Sequence, residues 1–79
     1  MKIQVQYYAA LREKTGTSLE EIHSAARTPR DLYRELQSRY GFAYEPEQLR
    51  AAVNDSFRDM DCELQENDLI VFIPPVAGG

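Results

Sequence analysis

Leu69-Ile70-Val71-Phe72-Ile73-Pro74-Pro75 is the stretch that decides the fold. Five consecutive apolar residues, mostly β-branched or aromatic and without polar alternation, spell a strand covered on both faces. The two prolines end it, because proline has no N–H to give to a ladder. The whole sequence has 79 residues, enough for one small domain with one modest core. A domain with a single substantial helix covers only one face of such a strand with its own residues. The run therefore divides. Ile70 and Phe72 turn towards the helix, and Leu69, Val71 and Ile73 turn to a face for which the chain holds no cover. Isolated surface hydrophobes are normal. A contiguous uncovered set is instead the mark of a surface kept for another protein, and that is the reading adopted.

Working outward, Ile3, Val5 and Tyr7 share one face of a first strand, and Gln4, Gln6 and Tyr8 share the other. Ala9 to Lys14 are good helix formers with Gly16 at a natural stop, which predicts one short helix. Ser18 to His23 reads as an edge strand, because Leu19 and Ile22 do not alternate. The main helix opens at Thr28-Pro29-Arg30-Asp31, which resembles a capping box with proline at the first helical position. Leu32, Tyr33, Leu36 and Tyr40 form its apolar stripe, and Gly41 closes it. Arg30, Arg34, Glu35 and Arg39 are assigned to its wet side. Phe42 to Gln48 is a loop around Pro46 with room for one helical turn. Arg50 to Asn54 reads as a strand, Asn54-Asp55-Ser56 as a tight turn, Phe57-Arg58 as a short return strand, and Glu66-Asn67-Asp68 as a second turn. Tyr8 and Phe57 join Val71 and Ile73 on the uncovered face.

This order suits an α+β domain, a mixed sheet wrapped around one main helix with the first and last strands side by side in the middle. That is the β-grasp, or ubiquitin-like, architecture; ferredoxin-like and other small α+β folds compete with it on pattern alone. The domain is assigned to residues 1–75, followed by a flexible, extended tail over 76–79.

Composition excludes several functions. With 13 acidic against 9 basic side chains the net charge is −4, which does not favour nucleic acid. The one cysteine, Cys62, precludes an internal disulfide, and with His23 as the one histidine no metal site is expected. Cys62 lies between Asp61 and Glu63, without a cation to favour a thiolate. His23 reads as an exposed strand residue, and Arg12 and Lys14 either as solvated helix residues or as partners for acids on another protein. No apolar run approaches the ~20 residues of a membrane span, and the first residues lack the apolar stretch of a signal peptide, so a cytoplasmic protein is expected. No nucleophile–base set and no phosphate-cradling loop is present, so no catalytic activity is expected of the chain alone, and no bound cofactor.

The remaining chemistry is at the end. Pro74-Pro75 hold the exit from the last strand stiff and extended, and Val76-Ala77 are small. Gly78-Gly79 lack a Cβ and can pass a narrow channel before presenting the Gly79 carboxylate. From Val76 to Gly79 the reach is roughly 13 Å. A carboxylate becomes an electrophile once ATP has adenylated it, and a sulfur nucleophile can then displace AMP to leave a thiocarboxylate. A glycine pair alone equally fits a frayed terminus. Placed after an apolar strand and a Pro-Pro stop, it fits a tail delivered to other proteins' active sites.

At this point a resemblance enters. Val5-Gln6-Tyr7-Tyr8-Ala9-Ala10-Leu11-Arg12-Glu13, Ala51-Ala52-Val53-Asn54, the turn before Asp68, and above all Phe72-Ile73-Pro74-Pro75-Val76-Ala77-Gly78-Gly79 resemble the small subunit of molybdopterin synthase from end to end. The resemblance implies a β-grasp sulfur carrier and a subunit of a sulfur-transferring complex. An E1-like adenylyltransferase would activate Gly79 with ATP, and a sulfurtransferase would convert it to the thiocarboxylate. The tail would then enter the catalytic large subunit, in a heterotetramer of two small and two large subunits. There it would give sulfur to cyclic pyranopterin monophosphate in molybdenum cofactor biosynthesis. The family's partner-facing hydrophobes fall on Tyr8, Phe57 and Ile73, the positions that face assignment also reaches. The expected interface is Tyr8, Phe57, Val71, Ile73, Pro74 and Pro75, continuing through Val76 and Ala77, with Gly78 and Gly79 as the reacting end. Tyr8 and Ile73 stand where the family often has phenylalanine. Asn67 stands where it often has glycine, and asparagine tolerates the left-handed turn. Two alternatives stay open. One is a carrier for another pathway such as thiamine synthesis or tRNA thiolation, or a ubiquitin-like modifier joined to lysines through Gly79. The other is a passive β-grasp binding module.

Overall fold

The computed structural model describes residues 1–75, and the expectations for Val76, Ala77, Gly78 and Gly79 lie outside the described residues. The elements are β1 (Lys2–Gln6), α1 (Ala9–Thr15), β2 (Leu19–His23), α2 (Pro29–Tyr40), a 3-10 turn at Pro46–Gln48, β3 (Arg50–Val53), β4 (Ser56–Arg58) and β5 (Leu69–Ile73). The apolar run that ends in Pro74-Pro75 is β5, and it occupies the middle of a five-stranded sheet ordered β2-β1-β5-β3-β4. Its neighbour β1 runs parallel to it, and the remaining pairs are antiparallel.

The division of β5 between two faces is as expected. Ile70 and Phe72 are buried with Ile3, Val5 and Tyr7, whereas Leu69, Val71 and Ile73 are half-buried. α2 covers the first set. Its start is fixed by Thr28, whose Oγ1 accepts the Asp31 N–H at 3.1 Å, and by Pro29 at the first helical position. Its end is Gly41 at φ +74°, whose N–H reaches the Gln37 carbonyl at 2.8 Å. Leu32, Tyr33 and Leu36 are fully buried between those caps. Burying each leucine contributes about 1.5–3 kcal/mol against leaving it in water. The rings knit helix to sheet. Tyr33 meets Phe72 edge-on at 5.2 Å and stacks on Phe42 at 5.6 Å, and Phe42 stacks on Tyr40 at 5.7 Å.

Two helix residues depart from the wet-side assignment. Arg30 is half-buried and reaches Asp61 through Nε at 2.9 Å and Glu47 through Nη1 at 3.2 Å. Glu35 accepts the Ser24 hydroxyl at 2.6 Å and pairs with Arg39 at 3.4 Å. These two anchor the loops on either side of α2. The Arg30 guanidinium also holds the Asp61 carboxyl below its usual range.

The edge strand β2 alternates poorly because a charged residue occupies one of its core-facing positions. Glu20 receives the Tyr7 hydroxyl at 2.7 Å and the Tyr40 hydroxyl at 2.8 Å to its second oxygen, with Arg39 at 3.6 Å. A carboxylate with two phenol donors and a guanidinium is a satisfied acceptor, so the cost of withdrawing it from water is offset.

Burial pushes the Tyr33 hydroxyl up to about 12. Burial first, and then the bond to Glu20, push Tyr7 and Tyr40 up as well. Unfolded tyrosine ionises near 10, so the folded state holds these phenols neutral. Their contribution to stability is complete below pH 10 and is lost as pH climbs from 10 towards 12 and beyond. Alkaline titration is therefore expected to show tyrosinate absorbance rising together with loss of the far-UV dichroism. Full ionisation of all tyrosines at pH 11 with the dichroism intact would contradict this.

Candidate functional site: the open sheet face and the exit of its central strand

The face opposite α2 carries no element of the described chain. Register places its residues. Leu19 faces Gln6, Gln6 faces Val71, Val71 faces Ala52, and Ala52 faces Phe57. Partners directly opposite share a face, so these five form one row across the whole sheet. The next row on the exit side pairs Ile73 with Arg50. Tyr8 continues the alternation of β1 onto the same face, opposite to the buried Tyr7. The three large side chains are well exposed: Tyr8 at 54%, Leu19 at 53% and Phe57 at 60%. Pro74 is half-buried and Pro75 exposed where the chain leaves β5.

Local structure holds each of these in place. Tyr8 is extended, and its carbonyl accepts the N–H groups of Leu11 and Arg12, so it caps α1 with its backbone while its ring stays outside. Ala9 then turns the chain at φ +48°. A residue with a Cβ in that region costs about 1–2 kcal/mol, a strain stored beside the exposed ring. Phe57 is carried by the β3–β4 hairpin, whose two-residue turn Asn54-Asp55 has φ of +51° and +70°. That pair of left-handed residues matches the twist of a tight hairpin. Asn54 also locks the hairpin to β5. Its Oδ1 accepts the Leu69 N–H at 3.0 Å and its Nδ2 donates to Asp68 Oδ1 at 2.9 Å. The buried Asp68 accepts the Gln65 N–H at 2.8 Å with its other oxygen. Asn67 precedes it at φ +70°, the left-handed turn expected there. Phe57 and the exit strand are thereby parts of one rigid surface.

The structure brings together Tyr8, Phe57, Val71, Ile73, Pro74 and Pro75 from the expected interface. Two residues of this face were missed. Leu19 was not assigned to this face; it stands three residues from the core-facing Ile22, an odd step along a strand, which puts it on the opposite face. Arg50 gave no sequence signal, since a strand-initial arginine reads as solvated. Its guanidinium carbon lies 4.3 Å from the centre of the Phe57 ring. The other candidates stay apart from this chemistry. His23 is exposed on β2, Arg12 and Lys14 are exposed on α1, and Cys62 is half-buried against the core. Among the described residues no helix is long and apolar enough to cross a membrane.

A mixed sheet with β1 and β5 parallel at its centre, wrapped around one main helix and joined by a second short one, defines a β-grasp, ubiquitin-like protein. The model of the ThiS family matches residues 5–79, and the chain belongs to that family. It is 34% identical to the molybdopterin synthase sulfur carrier subunit of Escherichia coli, over 98% of this chain and 99% of that one. Among solved structures it is similar to molybdopterin converting factor, subunit 1, as described from Pyrococcus furiosus. There the TM-score is 0.74 with 31% identity, covering 95% of this chain and 98% of that one. It is also similar to a chain of the Helicobacter pylori complex of subunits 1 and 2 of molybdopterin-converting factor, with a TM-score of 0.67 and 25% identity over the whole of both chains.

Proposed function

We propose that this chain is the sulfur carrier subunit of a molybdopterin synthase, working in the cytoplasm. The observation that carries the reading is the end-to-end similarity to the Escherichia coli sulfur carrier subunit. An apolar face continuous with the strand that leads to the tail supports it, because a carrier must dock by its body while its end reaches away.

In this reading an oxygen of the Gly79 carboxylate attacks the α-phosphorus of ATP in an E1-like adenylyltransferase, releasing pyrophosphate and forming an acyl adenylate. A hydrosulfide equivalent from a sulfurtransferase adds to the acyl carbon and expels AMP, leaving a thiocarboxylate. Tyr8, Phe57, Val71, Ile73 and the Pro74-Pro75 exit seat the domain on the large subunit. Val76 and Ala77 lead the tail inward, and Gly78 lets the backbone pass close to the large subunit's catalytic side chains. The thiocarboxylate sulfur bonds to a carbon of cyclic pyranopterin monophosphate in place of an oxygen substituent there, and water then cleaves the acyl–sulfur bond, so that the sulfur stays on the substrate and the tail returns as a carboxylate. The chain itself needs no bound cofactor; ATP is used by the activating enzyme.

The test is reconstitution. Thiocarboxylated protein mixed with the large subunit and cyclic pyranopterin monophosphate is expected to yield molybdopterin in proportion to the thiocarboxylate supplied. A thiocarboxylate that reacts in thiamine or tRNA thiolation systems but not here would overturn the assignment. So would covalent adducts on cellular lysines, dependent on Gly79, without any molybdopterin formed.

A further inference from the structure

Among the described residues, register places the charged Arg50 in the exit-side row of the open face, opposite Ile73 and two residues along β3 from Ala52, the partner of Phe57. It is exposed, and its guanidinium lies over the Phe57 ring at 4.3 Å. The chain carries 13 acidic side chains, and the arginines of α2 find carboxylates: Arg30 has Asp61 and Glu47, and Arg39 has Glu35 and Glu20. Among the described residues Arg50 enters no ion pair; what it has is a ring. A guanidinium stacked on an aromatic face keeps its in-plane N–H donors directed outward, in a fork that matches a carboxylate.

We propose that Arg50 reads the partner on the open face: lying over the Phe57 ring, it offers its N–H donors to a carboxylate of the large subunit, next to the point where the chain leaves β5. This rests on the functional reading above and adds to it the chemistry that the partner must present, an apolar ridge with an acidic side chain opposite Arg50. A cation amid an apolar contact also discriminates. A partner lacking the acid leaves Arg50 desolvated and unpaired, which penalises wrong partners more than it rewards the right one.

The experiment measures binding of the full-length chain to its purified large subunit by calorimetry over a range of salt, for wild type, Arg50→Met, Arg50→Lys and Arg50→Glu. Arg50→Met keeps an apolar cover for Phe57 without the charge, and is expected to bind about tenfold more weakly and with a flatter salt dependence. Arg50→Glu is expected to lose about a hundredfold. Arg50→Lys is expected to keep the salt dependence while losing part of the affinity, because an ammonium does not stack or fork as a guanidinium does. Arg50→Met and Arg50→Glu binding as wild type does, with the same salt dependence, would overturn the role of Arg50 alone. Absence of binding by the wild type would overturn the functional reading, and this inference with it.

Discussion

Removing Gly79, or adding one residue after it, is expected to abolish sulfur transfer and to leave the melting temperature unchanged. The change lies beyond the last described residue, Pro75, and the core among the described residues is built from β1, α1, β2, α2, β3, β5 and the loops between them. What moves is the reacting carboxylate. One extended residue shifts it by about 3.5 Å, and misplacement by even 1 Å can cost about a hundredfold in rate. Thiocarboxylate formation and molybdopterin synthesis, each read alongside a thermal melt, separate the two contributions. Activity within a few-fold of wild type in either variant would contradict the assignment of chemistry to Gly79.

Tyr8→Glu and Ile73→Lys are expected to weaken binding to the large subunit by about 2–3 kcal/mol each, in the range of interface hot spots. Tyr8 is the cleaner probe. Its ring is 54% exposed while its backbone caps α1, so a glutamate there changes the face and not the cap. Ile73 is half-buried, and a lysine opposite Arg50 adds a like charge where the partner must close. Both variants should melt within a few degrees of wild type. Unfolding by Tyr8→Glu would mean that the ring supports the core, and unchanged affinity in both would mean that the partner docks elsewhere.

Much of this is legible in the sequence itself. The five-residue run of β5 and the period of two in β1 each dictated their faces. Thr28-Pro29 and Gly41 bracketed α2, and Asn54-Asp55 marked a hairpin by residues that tolerate positive φ. What was not legible depended on partners distant in sequence. Nothing near Glu20 announces that Tyr7 and Tyr40 will converge on it, so a core-facing carboxylate blurred β2. Asn54 reads as a turn residue, and its second role, clamping Leu69 and Asp68, appears once β3 and β5 are paired. Arg50 reads as solvated until the hairpin folds Phe57 beneath it. Tyr8 was placed correctly by alternation, but the turn at Ala9 that sets it there has no residue signal, since alanine is a poor choice for φ of +48°.

The central claim is that the reactive atom of this protein is the terminal carboxyl carbon of Gly79. Its most direct test is the intact mass of the protein after incubation with ATP, a sulfide source and the adenylating enzyme. The mass is predicted to rise by the difference between one sulfur and one oxygen, with the change confined to the C-terminal peptide and absent without ATP. A mass that stays unchanged under conditions where the same enzyme converts a known carrier would contradict it.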